Sequence, residues 1–222
     1  MPEVARSGTI GAMKRWSVAA VPIVAAVIAL PTGHVPAADS GAGQRKAETC
    51  AACHGPDGTA SIPGTPSLAG MPAFYTHWQL LMFRDGRRRD PQMTPLAERL
   101  SDTDMADLAA YYAAQRPRAR PNAVPVPEHA ADARALSDVH HCTSCHGPAL
   151  LGQQQVALLA GQDRDYLRKR LHGYRTKTTS DLDGMMTMVA QALTEKDVDL
   201  LVDYIASLDP GGGAPTGGDA AR

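Results

Sequence analysis

The chain has 222 residues, with 22 Lys and Arg against 23 Asp and Glu, so its formal net charge is −1. This balance argues against nucleic acid as the main partner, because phosphate binding requires an excess of basic residues. Only 5% of the residues are aromatic. The Ala, Leu, Val and Met that remain make a thin core for two domains, so we expect a bound apolar group to supplement it.

Residues 1–38 are predicted to be a secretory signal peptide. Lys14 and Arg15 form a basic flank, residues 17–30 form an apolar run, and residues 35–37 offer a cleavage site. The apolar run is shorter than the roughly 20 residues that span a bilayer. Export to the periplasm is therefore expected, and an uncleaved membrane anchor is the alternative.

The next segment reads as helices joined by long loops. A first helix should end at residues 50–54, Cys-Ala-Ala-Cys-His, and a second should cover residues 72–84 with Pro in its first turn. Met93 follows in a loop rich in proline and polar residues. A last helix should begin at residues 101–104, a Ser-x-x-Asp start of the capping-box type with apolar residues at helical spacing behind it.

The same series of motifs then occurs a second time. Residues 142–148, Cys-Thr-Ser-Cys-His-Gly-Pro, repeat residues 50–56 at an offset of 92 in all positions but two. Other matches keep the order of the chain at offsets of 91 to 93: Leu68-Ala69-Gly70 with Leu159-Ala160-Gly161, Tyr75 with Tyr166, Met93 with Met186, and Tyr111 with Tyr204. The second copy should likewise have a first helix that ends at residues 142–146, a helix over residues 163–174 and a capping box at residues 194–197. We infer a duplicated unit of about 80 residues, the size of a small domain.

These observations predict an all-α chain with two tandem helical domains, at residues 39–116 and 132–209. Residues 117–131 between them should form an extended linker, because the prolines there prevent a continuous helix. The Gly-rich residues 210–222 are expected to be a flexible tail.

The two Cys-x-x-Cys-His motifs carry the chemistry. Cys residues at positions i and i+3 lie on one side of a helical turn, where two thiols can react with the two vinyl groups of one haem. The adjacent His54 or His146 can then bind the iron. The two motifs use all four cysteines: Cys50, Cys53, Cys142 and Cys145. The prediction is two covalently bound haem c groups.

Three other uses of the cysteines fit the sequence less well. A four-Cys zinc site would require both copies to share one metal and leaves the two histidines unexplained. A thioredoxin-like redox pair requires a strand–helix–strand context that the sequence lacks. Two disulfides across such short loops are disfavoured as well.

A methionine is the predicted sixth ligand of each iron, which would close the coordination shell and raise the reduction potential. Met93 suits this role because its loop is a poor place for a core residue. In the second copy three residues compete, Met185, Met186 and Met188, and the repeat alignment selects Met186. The remaining histidines are expected to be surface or packing residues.

With these motifs the chain resembles the class I c-type cytochromes, and most closely their tandem di-haem periplasmic type, over residues 44–208. The resemblance implies that each domain wraps around one covalently bound haem, and that Pro66 supplies a carbonyl to the axial histidine. Ala157 takes the place of Pro66 in the second copy, so a looser second pocket is expected. The resemblance also suggests that some basic residues after each second helix bind haem propionates, a role that competes with a solvated basic loop: Arg84, Arg87, Arg88, Arg89, Arg175 and Lys177.

The expected function is single-electron transfer between periplasmic or membrane redox partners, such as a respiratory complex and a terminal oxidase. The alternatives are a cytochrome subunit of a periplasmic dehydrogenase or oxidase complex, and a haem enzyme such as a peroxidase with one open coordination position. Because a methionine is predicted for both irons, no catalytic residues are assigned and the chain is not expected to be an enzyme.

Overall fold

The computed structural model describes residues 37–179 and 181–211. These residues form helices joined by loops and turns, with a single isolated β-bridge between Gln153 and Val156. The first domain contains α1 (Ser40–His54), α2 (Ala73–Arg84), α3 (Met93–Ala97) and α4 (Asp102–Ala114); the second contains α5 (Ala130–Val139), α6 (Cys142–His146), α7 (Arg164–Arg175), α8 (Met185–Gln191) and α9 (Glu195–Ala206). The predicted all-α architecture is confirmed.

Two of the predictions fall largely outside the described residues. The predicted signal peptide covers residues 1–38, of which the structure describes only the last two, and the predicted flexible tail is described only at residues 210 and 211. No helix within the described part of the chain is both long and apolar enough to cross a bilayer.

The first domain is built on a close crossing of α1 and α4. Gly43 lies against the main chain of α4, where an added Cβ would approach the Asp107 carbonyl oxygen to 2.0 Å. Ala47, one turn later, packs against Leu108 and Tyr112 of α4. The missing side chain at Gly43 therefore allows the helix that ends in Cys-x-x-Cys-His to lie directly on the last helix.

The second domain uses the same plan with one break. The helix expected to run unbroken into residues 142–146 is divided into α5 and α6, because His141 adopts a left-handed conformation with φ 56°. The core forms where Leu167 of α7 meets Val198, Leu201 and Ile205 of α9. The second domain thus keeps its core while its motif sits on a separate short helix.

Both predicted capping boxes are present. The Ser101 hydroxyl accepts a hydrogen bond from the Asp104 amide, and the Asp104 carboxylate accepts one from the Ser101 amide. Thr194 and Asp197 make the same reciprocal pair at the start of α9. The predicted second helices agree with α2 and α7 to within about one residue at each end.

The segment after α4 is part of the contact between the domains. The Arg120 side chain is buried, and its Nη2 donates to Asp163 Oδ2 of the second domain at 3.0 Å. Its Nη1 donates to the Thr65 carbonyl of the first domain at 2.9 Å. Met71, Ala157 and Leu158 form an apolar cluster across the same boundary. The residues between α4 and α5 are non-helical, as predicted, but Arg120 ties them to both domains.

Candidate cofactor sites

A cavity of about 660 Å³ lies in the first domain and is bounded on one side by residues of α7 and the loop after it in the second domain. Its wall includes Cys50 and Cys53 near the end of α1, His54 at its last position, and Met93 at the start of α3. The sequence predicts that these four residues bind one cofactor, although the first and last are some 40 positions apart. All four line the same cavity. The volume lies within the range of about 300–1,000 Å³ that small-molecule sites occupy.

His54 is held in one orientation at this cavity. Its Nδ1 lies 2.8 Å from the Pro66 carbonyl oxygen, and a carbonyl can only accept, so Nδ1 carries the proton. Burial lowers the pKa of His54, although the bond to Pro66 opposes that effect. The imidazole is therefore neutral, with an unprotonated Nε2 that can bind a metal.

The four cysteines form no disulfide with one another, and the first of each motif is the more buried of its pair. Burial raises the pKa of both Cys50 and Cys142. Neither residue therefore has the lowered thiol pKa that nearby positive charge gives to the cysteines of redox enzymes.

The second site repeats the histidine arrangement. His146 is buried at the end of α6, and its Nδ1 lies 2.8 Å from the Ala157 carbonyl oxygen, the same distance as in the first domain. Burial again lowers the pKa of His146. Replacing proline by alanine has therefore not lengthened this bond, and the looser second pocket expected from the sequence is not seen there.

Aspartate carboxylates bind main-chain amides at the starts of the two helices that carry the candidate methionines. The Asp90 carboxylate accepts a hydrogen bond from the Met93 amide at 3.2 Å, and the Asp181 carboxylate accepts one from the Met186 amide at 2.7 Å. The two aspartates stand at different distances along the chain, three residues before Met93 and five before Met186. Met93 lies at the first position of α3, where the sequence predicts a loop, and Met186 lies at the second position of α8.

The two competing methionines are more exposed than Met186. The exposed fractions are 47% for Met185 and 60% for Met188, whereas Met186 is half-buried. Since a ligand to an enclosed metal must turn inward, burial favours Met186.

The residues present fit a haem in the first domain. The cavity wall offers two thiols, a neutral imidazole and a thioether, the donor set of a covalently attached haem with His and Met ligands. The Thr76 hydroxyl, also on this wall, is buried without a hydrogen-bond partner among the described residues. An unpaired buried hydroxyl beside an apolar cavity is typical of a surface completed by a bound group.

The basic residues suggested as propionate ligands have mostly other partners. Arg84 donates to Asp102, and Arg175 pairs with Glu195, so each ties its second helix to the start of its last helix. Arg87 pairs with Asp85 and lies over Trp78. Arg87, Arg88 and Arg89 all line the cavity, and Arg88 bonds there to Tyr166 Oη at 3.2 Å and lies over Phe83.

A cluster beside this cavity, at the boundary between the two domains, was not predicted from the sequence. Tyr75 and Arg88 of the first domain meet Tyr166, Arg170 and Tyr174 of the second. Burial raises the pKa of Tyr75; although burial opposes the effect, the two guanidiniums lower the pKa of Tyr166. The sequence repeat shows that Tyr75 and Tyr166 are equivalent positions. It does not predict that the two domains contact each other at these residues.

Comparison with known proteins follows the same division of the chain. A model of the family described as cytochrome c matches twice, at residues 39–114 and 130–209. The chain is 37% identical over 180 residues to a cytochrome c4 of Pseudomonas aeruginosa, covering 78% of this chain and 90% of that protein.

Two further similarities bear on the function of the protein. The chain is 33% identical to a thiosulfate dehydrogenase electron acceptor of Stutzerimonas stutzeri, over 73% of this chain and 80% of that one. Its structure resembles a crystal structure of reduced recombinant cytochrome c4 from Pseudomonas stutzeri with a TM-score of 0.72 and 31% identity, covering 78% of this chain and all of that one.

Proposed function

The chain belongs to the cytochrome c family, and on that premise we propose which residues hold its two haem groups and what they serve. It is a di-haem cytochrome that transfers single electrons. Each haem, when bound, supplies the reversible one-electron couple of iron. The protein sets the ligands, the burial and the access of partners.

In the first domain we assign Cys50 and Cys53 to covalent attachment, His54 to the fifth coordination position and Met93 to the sixth. The observation that carries this assignment is their convergence on one cavity of about 660 Å³. The Pro66 carbonyl fixes the tautomer and the ring plane of His54, which leaves Nε2 free for the metal.

In the second domain we assign Cys142, Cys145, His146 and Met186 to the same roles. Support comes from the equal histidine–carbonyl distance in the two domains and from the burial of Met186 relative to Met185 and Met188. A closed coordination shell with a thioether ligand raises the reduction potential and lets the electron move with little change in geometry. It also leaves no open position for peroxide, which argues against the enzyme alternative.

We place the protein in the periplasm, on the strength of the signal-like residues 1–38. Its partners are proposed to be redox proteins that dock over a small area and leave quickly, since the near-neutral net charge gives little long-range steering. A role as acceptor for one particular dehydrogenase is the second candidate. It is favoured by the likeness to a thiosulfate dehydrogenase electron acceptor.

The test of the ligand assignment is the visible spectrum of protein matured with a cytochrome c assembly system, with haem counted per chain. We expect two haems, a low-spin spectrum and the weak methionine-to-iron band in the oxidised state. Fewer than two haems, or a high-spin signal that binds carbon monoxide, would contradict the assignment. Co-purification of a stoichiometric dehydrogenase from the native host would favour the second candidate over a free carrier.

A further inference from the structure

The peptide group that orients His54 also contacts the opposite domain. The Pro66 carbonyl accepts from His54 Nδ1 at 2.8 Å, and the amide of the same peptide unit, Ser67 N, donates to Gln162 Oε1 at 2.7 Å. Gln162 belongs to the second domain and is buried. A chain of two hydrogen bonds thus leads from the axial histidine of one domain to a side chain of the other.

The second domain has the reciprocal arrangement. The Ala157 carbonyl accepts from His146 Nδ1 at 2.8 Å, and the amide of that peptide unit, Leu158 N, donates to the sulfur of Met71 at 3.3 Å. Met71 belongs to the first domain and is also buried. Each histidine is therefore connected through one peptide group to the other domain.

Met71 and Gln162 are equivalent residues of the repeat, since each follows a Leu-Ala-Gly sequence at an offset of 91. The two hydrogen-bond chains match step for step until this last residue. There the first domain's peptide meets an amide oxygen and the second domain's meets a thioether sulfur, which is a weak acceptor.

The orientation of the Gln162 amide follows from its neighbours. Oε1 accepts a second hydrogen bond, from the Asp163 amide at 2.9 Å, and Nε2 donates to the Ser67 carbonyl at 3.0 Å. The reverse orientation would set two N–H groups against an NH₂ group. Arg120, whose Nη1 donates to the Thr65 carbonyl at 2.9 Å, holds the same loop from the other side.

Hydrogen bonds in series strengthen one another, because a peptide whose N–H is bonded to a good acceptor has a more negative carbonyl oxygen. A more negative carbonyl binds the Nδ1 proton more strongly and raises the basicity of Nε2. A more basic ligand favours the oxidised iron. The acceptor on the peptide N–H should therefore lower the potential of the haem that the histidine binds.

We propose that Gln162 and Met71 are positioning residues that set, across the domain boundary, the reduction potential of the haem in the opposite domain. This inference rests on the ligation of iron by His54 and His146 proposed above. Gln162 lowers the potential of the first haem, and Met71 leaves that of the second haem higher. The contribution favours electron flow from the first haem to the second.

The test exchanges the two acceptors in the full di-haem protein with the variants Gln162→Met and Met71→Gln. Each places at one position the side chain that the repeat already accommodates at the other. Gln162→Met should raise the potential of the first haem, and Met71→Gln should lower that of the second. The expected change is about twofold to tenfold in the equilibrium constant for reduction, and tenfold corresponds to about 59 mV for one electron.

Redox titration followed by NMR, with each haem assigned through the signals of its axial methionine, measures both potentials in one sample. Met71→Leu is the control, because it keeps the apolar volume and removes only a weak acceptor. It should move the second haem by less than twofold. The methionine-to-iron band should stay near its wild-type value in all three variants, whereas Gln162→Met should lower the thermal midpoint because it also removes hydrogen bonds to the Ser67 carbonyl and the Asp163 amide.

The pattern of shifts separates the inference from the ligand assignment. A shift confined to the haem of the opposite domain supports the inference. Unmoved potentials, or a shift confined to the haem of the mutated residue's own domain, would overturn it while the wild-type His–Met spectrum stands. A wild-type spectrum without histidine ligation would overturn both the assignment and the inference.

Discussion

The two domains reach the same histidine geometry by different routes into the Cys-x-x-Cys-His motif. In the first domain α1 is continuous, with buried Ala47 three residues before Cys50. In the second, the buried Ser137 of α5 lies five residues before Cys142. Two additional residues would rotate a continuous helix by about 200° and turn the motif away from its pocket. The left-handed conformation of His141 divides the helix, so the two additional residues do not rotate the motif.

The comparison shows which features the fold requires. Continuity of the first helix is dispensable, whereas the bond from the histidine Nδ1 to a loop carbonyl is 2.8 Å in both domains. An aspartate carboxylate also binds the amide of each candidate ligand, although it stands three residues before Met93 and five before Met186. The two domains therefore share the proposed haem ligands and differ in the helices that lead into the Cys-x-x-Cys-His motif.

The largest expected effect tests whether the second domain uses the methionine equivalent to Met93. Met186→Ala should remove the methionine-to-iron band of one haem and lower its potential on the order of 0.1 V, a fraction of the roughly 0.8 V that axial ligands span. The measurement is the oxidised spectrum together with a redox titration.

Met185→Ala and Met188→Ala are the matched controls, because both side chains are more exposed and lie on the same short helix. Both controls should keep two methionine-to-iron bands. If Met188→Ala loses a band and Met186→Ala does not, the equivalence of α3 and α8 does not extend to the ligand.

The cysteines and histidines proposed to hold the haems can be proposed from sequence alone because covalent attachment fixes their spacing. Two thiols and a histidine must lie within one helical turn, so the motif is local and its repeat reveals two domains. Helix starts such as the capping boxes at Ser101 and Thr194 were predictable for the same reason, since each involves only four consecutive residues.

The features that were missed depend on how the two copies pack together. The ion pair of Arg120 with Asp163 and the bond from Ser67 to Gln162 join residues 43 and 95 positions apart. No local pattern marks them, and Arg120 lies in a segment that reads as a linker. The break at His141 was missed because helical propensity does not register two residues of excess length.

The next largest expected effect concerns the packing of the first helix in each domain. Gly43→Ala places a Cβ 2.0 Å from the Asp107 carbonyl and 2.8 Å from Tyr111 Cβ, so α1 and α4 must separate. We expect a loss of about 2–3 kcal/mol in the free energy of unfolding. In the second domain the buried Ala133 already carries the methyl group that Gly43 lacks. Ala133→Gly should therefore reduce the free energy of unfolding by about 1 kcal/mol, because glycine has a lower helix propensity.

Urea unfolding followed by circular dichroism measures both variants. A Gly43→Ala protein as stable as the wild type would mean that the crossing of α1 and α4 is looser than the structure has it. A larger loss for Ala133→Gly than for Gly43→Ala would reverse the assignment of the tighter crossing to the first domain.

The smallest expected effect concerns the two capping boxes, which differ in whether a lysine contacts the aspartate. The Lys46 ammonium, 2.7 Å from the Asp104 carboxylate, and the Ser101 hydroxyl lower the pKa of Asp104 to about 2. The pKa of Asp197 is lowered chiefly by its bonds to Thr194. A lowered pKa in the folded protein stabilises it above the unfolded value of about 3.9, and that stabilisation disappears as the pH falls towards the folded value.

At pH 7 Asp197→Ala should cost about 1 kcal/mol, the usual contribution of such a cap, and Asp104→Ala should cost more because it also removes a partner of Lys46. The excess should shrink as the pH falls from about 4 to 2, where Asp104 of the wild type takes up its proton. It should also shrink in about 1 M salt, which screens the lysine but leaves the hydroxyl bonds intact. Thermal midpoints against pH measure both trends, and an excess that persists at pH 2 would mean that the Lys46 contact is not its source.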